Sequence, residues 1–293
     1  MTLSIPDVLR IGAAEGPAFR IADAPTAPPK DAPSTKKCEA ALEDVAKKID
    51  DWQQALYAED RNSVLCIFQA MDAAGKDGTI RAVTKRLNPA GFQVHSFKAP
   101  SYLELEHDFL WRTTLALPQR GRIGVFNRSY YEEVLVVRVH PAYVAGQRVA
   151  GDPADPAFWE HRYRSIREHE GHLHRNGTRV LKFFLHVSKE EQRKRLLSRL
   201  DTPDKNWKFN PADLDERDHW LAYMDAWEAC VRATASDEAP WWVVPADDKP
   251  FMRMRVAQIL EGALAELAPR YPELDADTRE RLPEFRRRLE AAD

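Results

Sequence analysis

Five short apolar segments, separated by longer stretches with helical periodicity, constrain the fold of this chain more than any other feature. The segments have five to eight residues and are rich in branched and aromatic side chains, as buried parallel strands are. They are Ser63–Phe68, Gln93–Phe97, Arg122–Phe126, Val180–Val187 and Trp241–Pro245. Helices are expected at Gly78–Leu87, Leu103–Leu117, Pro156–His174, Lys189–Leu200 and Pro211–Ala233. Because right-handed crossover helices cover both faces of a parallel sheet, the alternation predicts a three-layer α/β/α fold around a five-stranded parallel sheet.

The flanks of this alternation differ from it in composition. We expect an N-terminal extension and helix over residues 1–58, a core over 59–268 and a charged helical tail over 269–293. Four of the ten residues in Ala24–Pro33 are proline, which favours an extended backbone. This segment is either a poorly ordered terminus or a strap packed on a partner subunit. Ser34–Ala58 has apolar residues at three- and four-residue steps and is predicted to be helical.

Charge and composition exclude several classes of protein. The 43 Lys and Arg residues are balanced by 46 Asp and Glu, so a protein that coats nucleic acid is not expected, and any site for a polyanion must concentrate positive charge locally. No apolar run approaches the roughly 18 residues of a spanning helix, and the first 20 residues lack the pattern of a secretory signal. The three distant cysteines fit a reducing compartment, so we expect a cytoplasmic protein without a membrane partner.

The loop after the first strand has the character of a phosphate-binding loop that opens a helix. Lys76 would supply a full positive charge to a phosphate, and small neighbours would let backbone N–H groups face it. The candidate phosphate-binding residues are Ala73, Ala74, Gly75, Asp77, Gly78 and Thr79. The match to G-x-x-x-x-G-K-[ST] is imperfect, because Ala70 and Asp77 replace the first Gly and the Ser/Thr. A tight strand-to-helix turn with a surface lysine is the alternative.

Five polar positions near these loops are candidates for metal, phosphoryl-transfer or acceptor chemistry. Asp72 would hold Mg²⁺ or orient an attacking phosphate oxygen, unless it only caps a turn. Asn127 follows the third strand, where P-loop proteins that hydrolyse nucleotides carry an Asp that steers Mg²⁺. Arg128 would clamp a phosphoryl group during transfer, or form a surface salt bridge with Glu132. Glu132 and its neighbour Glu133 would serve acceptor or metal binding, or are surface helix glutamates.

Seven motifs, in order along the chain, resemble the polyphosphate kinase 2 family. They are QAMDAAGKDGTI (Gln69–Ile80), FKAPS (Phe97–Ser101), HDFLWR (His107–Arg112), GRIGVFNRSYYEEVLVVRVHP (Gly121–Pro141), LKFFLHVSKEEQ (Leu181–Gln192), DKNWKF (Asp204–Phe209) and PADDKPFMR (Pro245–Arg253). The resemblance implies a P-loop kinase fold similar to that of thymidylate kinases. It also implies reversible phosphoryl transfer from inorganic polyphosphate to AMP or ADP, giving ADP and ATP, with Mg²⁺ or Mn²⁺ as cofactor.

The same resemblance assigns roles to single residues. Asp72, Lys76 and Arg128 match the catalytic positions of the family. Our own interpretation of the residues adds that Asp72 would hold the metal, with Asn127 in its outer shell. Asn127 resembles the subgroup, class III, that phosphorylates both AMP and ADP. A homo-oligomer, such as a tetramer, is also implied.

Two groups of cations follow from this interpretation. A helical lid around residues 190–212 would place Arg193, Arg195, Arg199, Lys205 and Lys208 over the phosphates, or these residues are a solvated helix face. Arg81 and Lys85 would form a track along which polyphosphate reaches Lys76, or are ordinary surface cations.

Two other functions remain open. One is a kinase of the thymidylate type that uses ATP as donor, and the other is a catalytically silent protein that binds polyanions or RNA. The histidines at 169, 172 and 174 are expected to lie on a solvated helix face rather than to bind a structural metal.

Overall fold

A single six-stranded sheet organises the computed structural model, which describes residues 3–291. The strands are β1 (Leu9–Ile11), β2 (Ser63–Gln69), β3 (Phe92–Ser96), β4 (Ile123–Asn127), β5 (Thr178–His186) and β6 (Trp241–Pro245). Their order across the sheet is β1-β6-β5-β2-β4-β3. The five predicted strands are all present and run parallel to one another. The short edge strand β1, antiparallel to β6, was not predicted, because three residues carry too little pattern to be recognised.

The helices lie on both faces of the sheet. They are α1 (Thr35–Glu59), α2 (Lys76–Val83), α3 (Tyr102–Leu105), α4 (Trp111–Thr114), α5 (Val136–Val139), α6 (Tyr143–Gln147), α7 (Pro156–Arg175), α8 (Lys189–Asp201), α9 (Ala212–Asp218), α10 (Trp220–Thr234), α11 (Lys249–Leu267) and α12 (Ala276–Glu290). One apolar core joins one face of the sheet to α1, α2 and α11, and a second joins the opposite face to α7 and α10. The predicted three-layer α/β/α architecture is therefore confirmed.

Two helix predictions need correction, and one long helix was not predicted. The helix expected over Leu103–Leu117 is two short helices, α3 and α4, because Asp108 accepts a hydrogen bond from the Leu110 N–H and starts a new turn. The helix expected over Pro211–Ala233 is divided at His219 into α9 and α10. The long helix α11 was missed, because it is buried on several sides and lacks the polar stripe of an amphipathic helix.

The N-terminal extension packs on the core of its own chain. Phe19 and Ala24 are buried in the α7–α10 face. The Ile21 N–H donates to Glu228 at 2.9 Å, and the Asp247 N–H donates to the Thr26 carbonyl at 2.9 Å. A poorly ordered terminus is therefore the wrong alternative for this segment. Contact with a partner subunit stays a prediction, as do the domain limits at residues 58 and 268.

The parallel strands place their carboxyl ends at one edge of the sheet. Phe68, near the end of β2, is in register with Asn127, the last residue of β4. The loops that follow β2 and β4 therefore leave the sheet side by side. This edge is where ligands bind in open α/β sheets. No helix within residues 3–291 combines the length and apolar character that crossing a bilayer requires.

Candidate active site

The loop between β2 and α2 has a backbone that few sequences tolerate. Gly75 has φ of +108°, and a Cβ there would lie 3.2 Å from Cε of Met252. Ala73 also adopts a positive φ of +61°, which is uncommon outside glycine. Within the described chain, no side chain caps the first turn of α2. The N–H groups at this helix start are thus available to an anion, as in phosphate-binding loops.

Lys76 is the first residue of α2 and is only 9% exposed. Its ammonium donates to the Ala70 carbonyl at 3.0 Å, which turns the side chain back over the loop. Burial, and then the nearby charge of Arg128, lower the pKa of Lys76, whereas Asp72 and Glu132 oppose that shift. The alternative of a solvent-exposed surface lysine is wrong, because the side chain is enclosed in the site.

Arg128 is held between two carboxylates. Its Nη2 lies 2.7 Å from Oδ1 of Asp72, and its Nη1 lies 3.0 Å from Oε2 of Glu132. The charges of Glu132 and then Asp72 raise the pKa of Arg128 despite burial, so the guanidinium stays charged. Its backbone has φ of +65°, and its N–H donates to the Phe68 carbonyl on β2. The salt bridge with Glu132 thus coexists with a position beside the phosphate loop.

Oxygen-bearing side chains suited to a divalent cation stand at the mouth of the same loop. The Asn127 amide donates to Oδ1 of Asp77 at 2.7 Å, which leaves the amide oxygen of Asn127 available as an acceptor. Residues 3–291 contain no cluster of three or more His, Cys, Asp and Glu that would enclose a metal by itself. Mg²⁺ is commonly bound by one or two carboxylates plus substrate phosphates and water, so Asp72, Asp77 and Asn127 fit such an ion.

A strongly cationic cavity of about 480 Å³ opens onto these loops. Nine Lys and Arg residues line it, against two Asp, Asp72 and Asp77. The cations are Lys76, Lys98, Arg128, Arg195, Arg199, Lys205, Lys208, Lys249 and Arg253. Positive charge concentrated in a concave site attracts polyanions, although the chain as a whole is slightly acidic.

A second cavity of about 730 Å³ shares a wall with the first. Asp72, Phe97, Lys98 and Arg128 line both cavities. Away from the shared wall, part of the lining of the second cavity is apolar and aromatic, formed by Leu105, Val136, Val137, Tyr143 and Tyr223. The two cavities therefore differ in chemistry and meet at the Asp72–Arg128 ion pair.

The sequence over residues 32–271 matches the pattern that defines the family described as Polyphosphate kinase 2 (PPK2). The chain belongs to the polyphosphate kinase 2 family. It is therefore a phosphotransferase, and kinases of this family generally depend on a divalent metal.

Relatives and a solved structure agree with this membership. The chain is 57% identical over 244 residues to the ADP-polyphosphate phosphotransferase of Rhodopseudomonas palustris, covering 83% of this chain and 84% of that protein. It is 46% identical over 238 residues to the AMP/ADP-polyphosphate phosphotransferase of Meiothermus ruber, covering 80% and 85%. The crystal structure of polyphosphate kinase 2 from Arthrobacter aurescens TC1 superimposes with a TM-score of 0.84 at 38% identity, covering 94% of this chain and 95% of that one.

The structure separates the predicted cations of this PPK2 chain into two groups. Arg199, Lys205 and Lys208 line the cationic cavity as expected of a lid. Arg193 is paired with Glu190 on an exposed helix face. Arg81 and Lys85 are exposed and are not among the described residues that line this cavity.

Arg195 is buried beneath the phosphate loop. It donates to the carbonyls of Ala73 and Ala74 at 3.2 and 2.7 Å and to that of Ala246 at 2.6 Å. Arg195 therefore lines the cationic cavity with its donors already bound to the loop backbone, and its role as a lid cation stays a prediction. It connects α8 to the loop that holds Lys76.

Three other predicted site residues are buried inside the protein. Ala74 is buried, and the Thr79 hydroxyl donates to the Gly75 carbonyl at 3.0 Å, inside the turn. Glu133 is only 4% exposed and forms an ion pair with Arg162 at 2.8 Å, so it is not a surface glutamate.

Sequence reasoning missed three cavity cations, namely Lys98, Lys249 and Arg253. Lys98 follows β3, and Lys249 and Arg253 lie in the first turns of α11, after β6. Basic residues in the loops after every parallel strand were the signal that could have identified them.

Proposed function

We propose that this protein transfers the terminal phosphoryl group of inorganic polyphosphate to AMP or ADP, giving ADP or ATP, and catalyses the reverse reaction. The observation that carries the proposal is the meeting of a cationic cavity and a partly apolar cavity at Asp72 and Arg128. A chain of phosphates needs the first environment, and a nucleoside needs the second. The relatives from Rhodopseudomonas palustris and Meiothermus ruber are both named for ADP and polyphosphate, and the second is named for AMP as well.

In this scheme the cationic cavity holds polyphosphate. Lys76 and the N–H groups at the start of α2 would bind the terminal phosphoryl group, and Arg128 would neutralise the charge that develops during transfer. The lid cations Arg199, Lys205 and Lys208 would hold the following phosphates. Arg81, Lys85 and Arg193 are farther out and would guide only longer chains.

The second cavity would hold the nucleotide acceptor. Its apolar walls would pack against the base and ribose, and its phosphate would lie beside Asp72 and Arg128. Asp72 would orient the attacking phosphate oxygen in line with the phosphoryl group. Glu132, which lines this cavity, would hold Arg128 in place, whereas Glu133 would shape the wall through Arg162.

Mg²⁺ or Mn²⁺ is the cofactor we propose. Asp72 would hold it, with Asn127 and Asp77 in reach of its water shell. Such a cation supplies positive charge that is shared between the donor and acceptor phosphates.

Three broader properties belong to the same proposal. The Asn at position 127 supports an assignment to class III, whose enzymes would accept both AMP and ADP. Exposed apolar side chains such as Leu115 and Leu221, 69% and 77% exposed, support a homo-oligomer. Three free and buried cysteines support a cytoplasmic location.

The decisive experiment supplies the purified protein with Mg²⁺, long-chain polyphosphate and either AMP or ADP. We expect ADP and ATP to form, and omission of polyphosphate to abolish the reaction. Transfer with ATP as donor and none with polyphosphate would support the thymidylate type instead. Retention of polyphosphate or RNA without turnover at any Mg²⁺ concentration would support a silent polyanion-binding protein.

A further inference from the structure

A lysine lies in the middle of the buried strand β5. Lys182 is 0% exposed, and its neighbours Leu181 and Phe183 are fully buried apolar residues. Its ammonium donates three hydrogen bonds, to Oε2 of Glu170 at 2.8 Å, to the Thr234 carbonyl at 2.8 Å and to the Tyr131 hydroxyl at 3.0 Å. All three donors of the ammonium are thus satisfied, as a buried charge requires.

Glu170, on α7, is the other charge of this buried network. Its Oε1 accepts the hydroxyls of Tyr130 and Tyr131 at 2.9 and 2.7 Å. Burial, and then the charge of Glu170, raise the pKa of both tyrosines well above the ordinary value, so both hydroxyls remain protonated donors. Burial lowers the pKa of Lys182, and Glu170 opposes that shift.

The two tyrosines belong to the turn that carries Arg128. Tyr130 and Tyr131 are fully buried in the α7–α10 core. The next residue, Glu132, faces the site, where its carboxylate accepts hydrogen bonds from the Arg128 guanidinium at 3.0 Å and from the Gln69 amide at 2.8 Å. A continuous set of contacts therefore runs from Lys182 through Tyr131 and Glu132 to Arg128.

Stability alone does not require this arrangement. A buried ion pair is weak evidence for stability, because apolar residues of similar volume often replace it without loss. A fully satisfied polar network does restrict a turn to one conformation. Here that turn holds an arginine with a positive φ of +65° whose guanidinium lies 2.7 Å from Asp72.

We propose that Lys182, Glu170 and Tyr131 are positioning residues for phosphoryl transfer, because they fix the turn that aims Arg128 at the transferred group. This inference rests on the proposed function. It gives the buried network a role in the rate of transfer, separate from its role in the core.

The first test is a cycle of variants. Tyr131→Phe removes one hydroxyl and should lower kcat about 10-fold with the KM values for polyphosphate and AMP within about twofold, because orientation changes while the binding groups remain. In an Arg128→Lys background, Tyr131→Phe should lower kcat no further. An equal loss of kcat in both backgrounds, or no loss in the first, would overturn the proposal.

A matched control uses another buried tyrosine. The hydroxyl of Tyr163, on α7, accepts a hydrogen bond from Arg138 and forms none with the turn that carries Arg128, within the described residues. Tyr163→Phe should leave kcat within about twofold of the unaltered protein. A loss as large as that of Tyr131→Phe would indicate a general effect on the core and would contradict a positioning role.

A second variant guards against failure to fold. Lys182→Met combined with Glu170→Gln removes both charges, so neither is left buried and unpaired. This protein should fold and should show the same selective loss of kcat. Normal kcat in the folded double variant would overturn the inference.

Crystal structures separate this inference from the proposed function. In Tyr131→Phe the distance between Arg128 Nη2 and Asp72 Oδ1 should increase from 2.7 Å or become variable between copies. An unchanged ion pair would overturn the positioning role even if the protein transfers phosphate. A complete lack of transfer in the unaltered protein would reject the proposed function and with it the role in transfer, and the structures would then decide only whether the network fixes the turn.

Discussion

Lys76 combines two properties that are rarely found together in a lysine, since it is only 9% exposed and yet lines a cavity. The preceding residue, Gly75, has a left-handed backbone conformation, and no side chain of the described residues caps the start of α2. A lysine in such a place is poorly hydrated, so it gains more from binding an anion than a surface lysine does.

Replacement of this lysine tests the donor site. Lys76→Met should lower kcat for polyphosphate-dependent transfer about 100-fold or more, because a preorganised charge at the transferred group is lost. Steady-state kinetics and thermal unfolding measure the effect. The matched control is Lys47→Met, which removes an exposed lysine of α1 paired with Asp44. Equal activities of the two variants would contradict the assignment of the loop.

Asn127 is the residue at which the metal hypothesis is most easily tested. Its amide donates to Asp77, so Asn127→Asp would place two carboxylates in contact. Without divalent cations we expect the melting temperature to fall by a few degrees, because like charges repel. Mg²⁺ should restore it and should stabilise Asn127→Asp more than the unaltered protein.

The control for this metal test is Asn127→Ala, which removes the hydrogen bond without adding charge. Its melting temperature should fall without any added response to Mg²⁺. If both variants respond to Mg²⁺ equally, position 127 does not contact the ion.

Sequence reasoning located single residues of the site where they share a loop, and failed where they converge from different elements. Asp72, Lys76 and Arg128 follow strands that pair directly, so their proximity followed from the alternation. Lys98 follows β3, and Lys249 and Arg253 follow β6. No periodic pattern in the sequence shows in which direction their side chains point. Arg195 could not be distinguished from its neighbours on α8, because two of its partners are backbone carbonyls 121 and 122 residues away in the chain.

At the scale of elements, the lid is the segment whose cationic side chains lie where a phosphate chain would need them, at the cationic cavity. It leaves the core through α8 and returns through α9, and the ion pair of Arg199 with Asp213 at 2.8 Å joins its two arms. Between them Lys205 and Lys208 line the cationic cavity. Gln192 also donates to the Asp72 carbonyl at 3.0 Å, so the base of the lid touches the phosphate loop.

Removal of the two lid lysines should weaken donor binding more than chemistry. Lys205→Met with Lys208→Met should raise the KM for polyphosphate about tenfold, change kcat little and reduce the dependence of KM on salt, because fewer counterions are displaced. The comparison is Arg193→Met with Lys194→Met, which removes two charges from the exposed face of α8. A larger effect of the second pair would place the donor outside the described cavity.

Strands were easier to predict than helices for a physical reason. All seven residues of β2 are buried, so its apolar run is unbroken in the sequence. The helix α11 buries ten of its residues and still contains charged side chains, so neither a polar face nor a short apolar run marks it. The edge strand β1 depends on pairing with β6, which a local pattern does not encode.

At the scale of the whole molecule, His186 lies where the N-terminal extension meets the central sheet. This residue, the last of β5, is only 6% exposed and lies beside the backbone of Pro25 and Ala24 in the extension, although its ring Nδ1 has no hydrogen-bond partner among the described residues. Burial lowers the pKa of His186, although those backbone contacts and Asp247 oppose the shift. Protonation of His186 at low pH therefore affects the contact between the extension and the sheet.

The sign of the resulting pH dependence is fixed by linkage. Below about pH 6.5, the ordinary pKa of histidine, the unfolded chain binds a proton that the folded chain resists, so stability falls as the pH falls. Between pH 7 and 5 the melting temperature should decrease, by about 2–4 °C for each kcal/mol lost. His186→Gln should flatten this decrease, whereas His174→Gln, at an exposed position, should not. Identical pH profiles for all three proteins would contradict the assignment.

The wall that the two cavities share bears on the design of inhibitors. A single molecule with a nucleoside at one end and a tail of linked phosphates at the other would occupy both chambers while passing the Asp72–Arg128 pair. Such a bisubstrate compound would incur the entropic loss of association once instead of twice, and would therefore bind more tightly than either half alone.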